Sequence, residues 1–110
     1  MSLGEFEYLL ITAEAALGDN AYGAAMREAM VKATGRTCSI GALYTTLERL
    51  EAKGLVKTWM AEGTPQGGGR SRRMVRVTSA GKAAASSFYE TIIRVSGRAP
   101  CAIRVSEVAG

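Results

Sequence analysis

Residues 39–56, SIGALYTTLERLEAKGLV, constrain the fold of this chain more than any other stretch. Ile40, Leu43, Leu47 and Leu50 recur at spacings of three, four and three, which stacks them on one face of a helix. Gly54 ends that helix, and a β-rich segment follows at once. The opposite face carries Gly41, Ala42, Thr45, Arg49 and Ala52, with Tyr44, Glu48 and Lys53 on its flanks. It is small in its N-terminal half and polar or basic further along. A helix seated in a DNA major groove needs that arrangement, with little bulk at base edges and cations near phosphate. An ordinary solvated face would read the same way, so the rest of the chain decides.

Charge along the chain is uneven. Residues 1–35 hold five acids (Glu5, Glu7, Glu14, Asp19, Glu28) against two bases. Residues 36–77 hold eight bases against three acids, and the remainder is mildly basic. The positive excess therefore surrounds the opening helix, the asymmetry expected of a nucleic-acid-binding face.

The segment at residues 4–17 reads as a helix with two apolar stripes, one of Phe6, Leu9, Leu10, Ala13 and Leu17, the other of Tyr8, Ile11 and Ala15. A helix apolar on two sides must bury both, one in its own core and one against a partner. Gly18 ends it, and Asp19 or Asn20 can cap a second helix over residues 21–33, whose inner face is Tyr22, Ala25, Met26, Ala29 and Met30. Gly35 stops that helix, and Ser39 is placed to cap the third, so the pair has the form of a helix-turn-helix.

After Gly54, residues 55–62 (LVKTWMAE) form a short strand, and residues 72–78 a second, with Val75 and Val77 alternating against Arg72, Met74 and Arg76. Between them lies a glycine-rich tip, GTPQGGGRS, with Arg70, Arg72 and Arg73 clustered at its base, from where guanidinium groups can reach phosphates or a minor groove. Thr78 or Ser79 caps a fourth helix running to about Val95. One face of it holds Gly81, Ala84, Phe88, Ile92 and Val95, and a second holds Ala85, Tyr89 and Ile93, again more apolar surface than a small domain covers alone. The tail after Gly97 shows no period and is expected to be poorly ordered.

These parts make a mainly α fold with a small two-stranded antiparallel β-hairpin: a winged helix-turn-helix followed by a C-terminal dimerisation helix. The expected division is residues 1–78 for the DNA-binding domain, 79–97 for the dimerisation helix and 98–110 for the tail. Catalysis is not expected. Histidine is absent, there is one aspartate, and no serine or cysteine pairs locally with a base. Cys38 and Cys101 have no metal or disulfide spacing, and zinc, calcium and phosphate-loop motifs are missing, so no cofactor is expected. No apolar run reaches membrane-spanning length, and acids near the N-terminus speak against an export signal, so a cytoplasmic location is expected. The competing reading is a winged-helix module for protein–protein contact, which has no need of three clustered arginines.

Four motifs carry a resemblance to the PadR family of transcriptional regulators: LGDNAYG at 17–23, GALYTTLERLEAKGLV at 41–56, GGR with its basic neighbours at 68–73, and VTSAG at 77–81. The resemblance implies a homodimeric repressor that binds a near-palindromic double-stranded operator. Helix 39–53 would lie in the major groove and the wing, 63–73, on the backbone or minor groove. On that footing Ser39, Gly41, Ala42, Tyr44, Thr45, Arg49, Arg70, Arg72 and Arg73 are the DNA-binding candidates. Tyr8, Ile11, Ala15, Ala85, Phe88, Tyr89, Ile92 and Ile93 are the dimerisation candidates. In some members of that family a small aromatic or drug-like effector binds at the dimer interface, so such an effector is a candidate partner here. Two departures stand out: Met74 and Val75 occupy positions where the family often has an aromatic pair, and the C-terminal region is short, as in compact members with one dimerisation helix.

Overall fold

The computed structural model describes residues 3–62 and 71–97. Its elements run α1 (Glu5–Leu17), α2 (Gly23–Thr34), α3 (Ile40–Ala52), β1 (Val56–Ala61), β2 (Arg72–Val77) and α4 (Ser79–Ser96). The strands pair antiparallel with Val56 opposite Val77 and Ala61 opposite Arg72. This is the mainly helical winged architecture that the periodicities predict. Arg70 and residues 98–110, including Cys101, lie outside the described residues, as does most of the wing tip.

The core forms where three helices and the hairpin bring their apolar rows together. Leu43, Leu47 and Leu50 of α3 are 0% exposed and meet Leu10 and Ile11 of α1, Met26 and Met30 of α2, and Val56, Val75 and Val77 of the hairpin. Full burial of one such leucine is worth roughly 1.5–3 kcal/mol relative to exposure. The α3 row therefore contributes a large part of what holds so small a domain together. Ile40, expected in that row, is instead 41% exposed, because it is the first helical residue and lies at the end of α3 furthest from the hairpin. Thr46 takes a buried place on α3, its hydroxyl donating to the Ala42 carbonyl at 3.0 Å.

Two further expectations are corrected. The second helix does not begin at Ala21 and is not capped by Asp19 or Asn20. Gly18–Asn20 form one turn of 3-10 helix, and Ala21–Tyr22 run extended. Their backbone is used by the sheet: the Val75 N–H donates to the Ala21 carbonyl at 2.9 Å, and Tyr22 bridges Met74. Ile11 is buried in the domain's own core, so it cannot serve a partner chain. The second stripe of α1 thus splits, with Ile11 turned inward, Tyr8 half-buried and Ala15 exposed.

The turns at either end of α3 depend on glycines whose backbone is left-handed, Gly35 at φ 69° and Gly54 at φ 76°, a region that costs other residues strain. Thr78 then joins the C-terminal half to the rest. Its hydroxyl donates to the Gly54 carbonyl at 2.7 Å and accepts from the Gly81 N–H at 3.1 Å, capping α4. Gly81 is required by contact. A Cβ there would stand 2.1 Å from the Leu55 carbonyl oxygen and 2.7 Å from Val77 Cγ1. Alanine at this site forces backbone to move, so Gly81→Ala is expected to cost about 1–3 kcal/mol in urea unfolding.

Charge also ties α1 to α3. The Glu7 carboxylate accepts from the Gly4 N–H at 2.8 Å and from the Lys53 ammonium at 3.1 and 2.9 Å. Burial alone would push this carboxyl up. The Gly4 N–H, the Lys53 bond and charge, and the Arg49 charge together outweigh it and hold Glu7 below the usual carboxylate range. A carboxyl depressed by folding stabilises above its unfolded pKa and loses that contribution as pH falls through the folded value. Glu7→Gln should therefore be less stable than the wild type at pH 7, and the gap should close as pH falls below about 4. Urea midpoints at several pH values would show this.

Candidate nucleic-acid interface

The outward side of α3 is assembled from its cap onward. Ser39 sits in extended backbone, and its hydroxyl accepts from the Ala42 N–H at 3.0 Å, starting the helix where the sequence predicts. Gly41, Ala42, Thr45 and Arg49 then follow with Ser39 as exposed residues. The Thr45 hydroxyl donates to the Gly41 carbonyl at 3.0 Å, so its proton is engaged while its methyl group and oxygen lone pairs remain for contacts outside.

The turn that sets α3 against α2 is held from both sides. The Arg27 Nε–H donates to the Cys38 carbonyl. The Arg36 guanidinium reaches the Glu5 carboxylate at 3.3 Å, an exposed pair worth little in stability.

At the wing base, two arginines lie over two tyrosines. The Arg72 guanidinium carbon is 4.5 Å from the Tyr22 ring centre, and that of Arg73 is 5.6 Å from the Tyr44 ring centre, both within cation–π range. Between them opens a cleft of about 210 Å³, lined by Tyr22, Gly23, Ala24, Tyr44, Ser71, Arg72 and Arg73. Tyr44 is half-buried rather than free on the outer face. Its ring and hydroxyl occupy the space over Gly23, where a Cβ would come within 2.5–2.9 Å of them. On the hairpin's inner side the Glu51 carboxylate accepts from the Thr58 N–H and the Thr58 hydroxyl, each at 3.0 Å, and the Arg73 Nη2 donates to that hydroxyl at 3.3 Å. Tyr22, read from the sequence as part of the inner face of the second helix, and Gly23 thus belong to the site, as do Glu51 and Thr58, which the pattern of the sequence did not single out. Tyr22 and Arg72 are fifty positions apart, and no local spacing joins them; Glu51 and Thr58 lie seven apart across the helix–strand turn, a nearness that an i+7 scan could have found.

Arg76, by contrast, is drawn away from the cleft, its guanidinium 3.8 Å from the Glu14 carboxylate and 3.6 Å from Asp19. Two of the acids in the first thirty-five residues therefore neutralise a wing base that the sequence count alone would add to the basic face.

Of the remaining candidates, Tyr8 stacks on Phe88 at 4.8 Å between ring centres, joining α1 to α4. Ala85 packs on the core, and Ile92 and Ile93 are half-buried, whereas Tyr89 is exposed and Val95 is 84% exposed. A shallow hollow of about 310 Å³ on this face is lined by Tyr8, Ala85, Ser86 and Tyr89.

A mainly helical core, a two-stranded wing and a recognition-type helix beside basic side chains define a winged helix-turn-helix protein. The sequence profile of the transcriptional regulator PadR-like family matches residues 15–87, and the chain belongs to that family. It is accordingly a DNA-binding regulator, and the family is one of regulators rather than enzymes. Solved structures share the fold. A protein assigned as a transcriptional regulator of Thermoplasma acidophilum aligns with a TM-score of 0.65 and 17% identity over 81% of this chain and 84% of its own. A PadR family transcriptional regulator from Eggerthella lenta gives 0.63 and 21% over 81% and 75%. Another, from a hypervirulent Clostridium difficile, gives 0.57 and 23% over 82% and 95%. No curated protein matches the sequence. No described helix is long and apolar enough to cross a membrane.

The cap offers a separable test. Ser39→Ala should cost about 1 kcal/mol of stability, the usual value of a lost N-cap. Ser39→Asp should keep the cap and the stability, yet weaken duplex binding more than alanine does, because it adds negative charge at the DNA-facing end. Denaturation followed by the single tryptophan, Trp59, and anisotropy of a labelled duplex read the two effects.

Proposed function

We propose that two copies of this chain bind a near-palindromic DNA operator and repress transcription from it. Helix 39–53 of each copy would enter one of two successive major grooves about one helical turn apart. Residues 1–78 form the DNA-binding part in this reading, residues 79–97 the dimerisation helix, and the wing at 63–73 lies on the backbone or minor groove. The carrying observation is that Tyr44, the chain neighbour of the exposed Thr45 on α3, lines the cleft that Arg72 and Arg73 also line. Gly41, Ala42 and Thr45 are small enough to approach base edges, and the Thr45 methyl and oxygen suit a thymine methyl or an amino group. Arg49, Arg70, Arg72 and Arg73 approach phosphates. The repressing sense rests on the family resemblance alone.

Support for the dimer comes from the apolar face of α1 and α4, where Tyr89 and Val95 are exposed beside the Tyr8–Phe88 stack. The hollow beside Tyr8 and Tyr89 is where a small aromatic or drug-like effector would sit between two copies.

If the dimer neutralises about 6–10 phosphates, duplex affinity should fall by roughly 10³–10⁵ between 50 and 200 mM salt, and a flat salt dependence would sink the reading. Arg72→Ala should weaken all duplexes alike, whereas Thr45→Val should change their ranking. For the dimer, Phe88→Asp or Ile92→Asp should sediment as a monomer; a monodisperse dimer from both would overturn the assignment.

A further inference from the structure

We infer that Tyr44, Glu51, Thr58 and Arg73 form a positioning ring that sets the angle of the wing against the recognition helix, so that DNA affinity depends on groups that need not touch DNA. The inference rests on the DNA reading above and deepens it. Its members come from three elements. Tyr44 and Glu51 stand near the two ends of α3, Thr58 is on β1 and Arg73 on β2. Glu51 takes two bonds from Thr58, Thr58 takes one from Arg73, and Arg73 lies over Tyr44, which closes the circuit back to α3. Gly23 makes room for the Tyr44 ring and so brings the start of α2 into the same contact.

The placement of Glu51 is the informative part. A carboxylate near the C-terminal end of a DNA-facing helix repels phosphate, so a chain built only to attract DNA would gain by losing it. Here both carboxylate oxygens are committed to Thr58, one to its backbone and one to its hydroxyl. Those bonds are exposed, and exposed polar contacts of this kind add little to global stability. Their geometric effect is larger, because together with the Arg73–Tyr44 contact they join both strands of the hairpin to α3. Arg73 in turn has its planar group spent on two neighbours, a ring face and a hydroxyl, which favours arginine over lysine at this position.

The test uses the full chain and a duplex selected from a random library by the wild type. Thr58→Val removes no charge, and Glu51→Ala removes a negative one. A positioning role predicts that both bind on the order of tenfold more weakly, the equivalent of about one lost interface contact, with the slope of log affinity against log salt unchanged. Simple electrostatics predicts the opposite sign for Glu51→Ala, tighter binding. Arg73→Lys keeps the charge and should still weaken binding at an unchanged slope. An Arg73 acting only as a phosphate ligand would leave Thr58→Val at wild-type affinity. Urea unfolding followed by Trp59 fluorescence checks that each variant is folded, and Thr58→Val carries the test should Glu51→Ala be unstable. Wild-type binding with Glu51→Ala equal or tighter and Thr58→Val unchanged overturns the ring alone. Failure of the wild type to bind any duplex overturns the DNA reading and the ring together.

Discussion

The structure depends on the insertion of Leu43, Leu47 and Leu50 into the space between α1, α2 and the hairpin. α1, α2 and the hairpin are placed by reference to that row, and α4 packs in turn on α1 and β2. Because the three leucines use up one whole side of α3, the remaining side must face outward, and its chemistry is then free to serve recognition. The left-handed backbone at Gly54 turns the chain straight into β1, and Thr78 returns β2 and α4 to the same turn. A domain with so few fully buried side chains has little stability to spare, which is why one close contact, Gly81 on the Leu55 carbonyl, carries weight.

Electrostatics is arranged in two layers. Glu7 and Glu14, both buried acids of α1, take up Lys53 and Arg76 on the inner side of the molecule. Arg49 on α3 is exposed and Arg72 and Arg73 line the cleft at the wing base, while Lys57 and Lys82 are exposed elsewhere on the surface. Acids of the first third thus engage Lys53 and Arg76, two of the bases of the basic middle segment. Arginine rather than lysine at 72 and 73 suits the second layer, since each guanidinium can lie on a tyrosine ring and keep N–H edges for other partners.

Most of the fold was legible in the sequence because it is carried by local period and punctuation. The 3.6-residue repeat marks the helices, Ser39 and Thr78 mark their starts, and alternation at Val75 and Val77 marks the second strand. The misreadings occur where tertiary contact overrides local pattern. Ala21 and Tyr22 look helical by spacing but are taken by the edge of β2 as an extra bridge. Ile40 continues the apolar row of α3 yet lies beyond the core's edge, and Ile11 belongs by spacing to an outer stripe yet is turned inward.

For the candidate site the boundary falls in the same place. The stretch 39–56 by itself determined a helix with a leucine side, a small polar side and a strand to follow, since side-chain period and a single glycine suffice for that. It could not determine what the flank of that helix does. Tyr44 looked like a reader of DNA, and only the folded chain puts its ring over Gly23 and under Arg73, with Glu51 and Thr58 completing the circuit. Apart from the Glu51–Thr58 pair, only seven positions apart, those contacts join residues far apart in the chain through the closure of the hairpin onto α3. Their existence depends on distances in space, which no spacing along the sequence encodes.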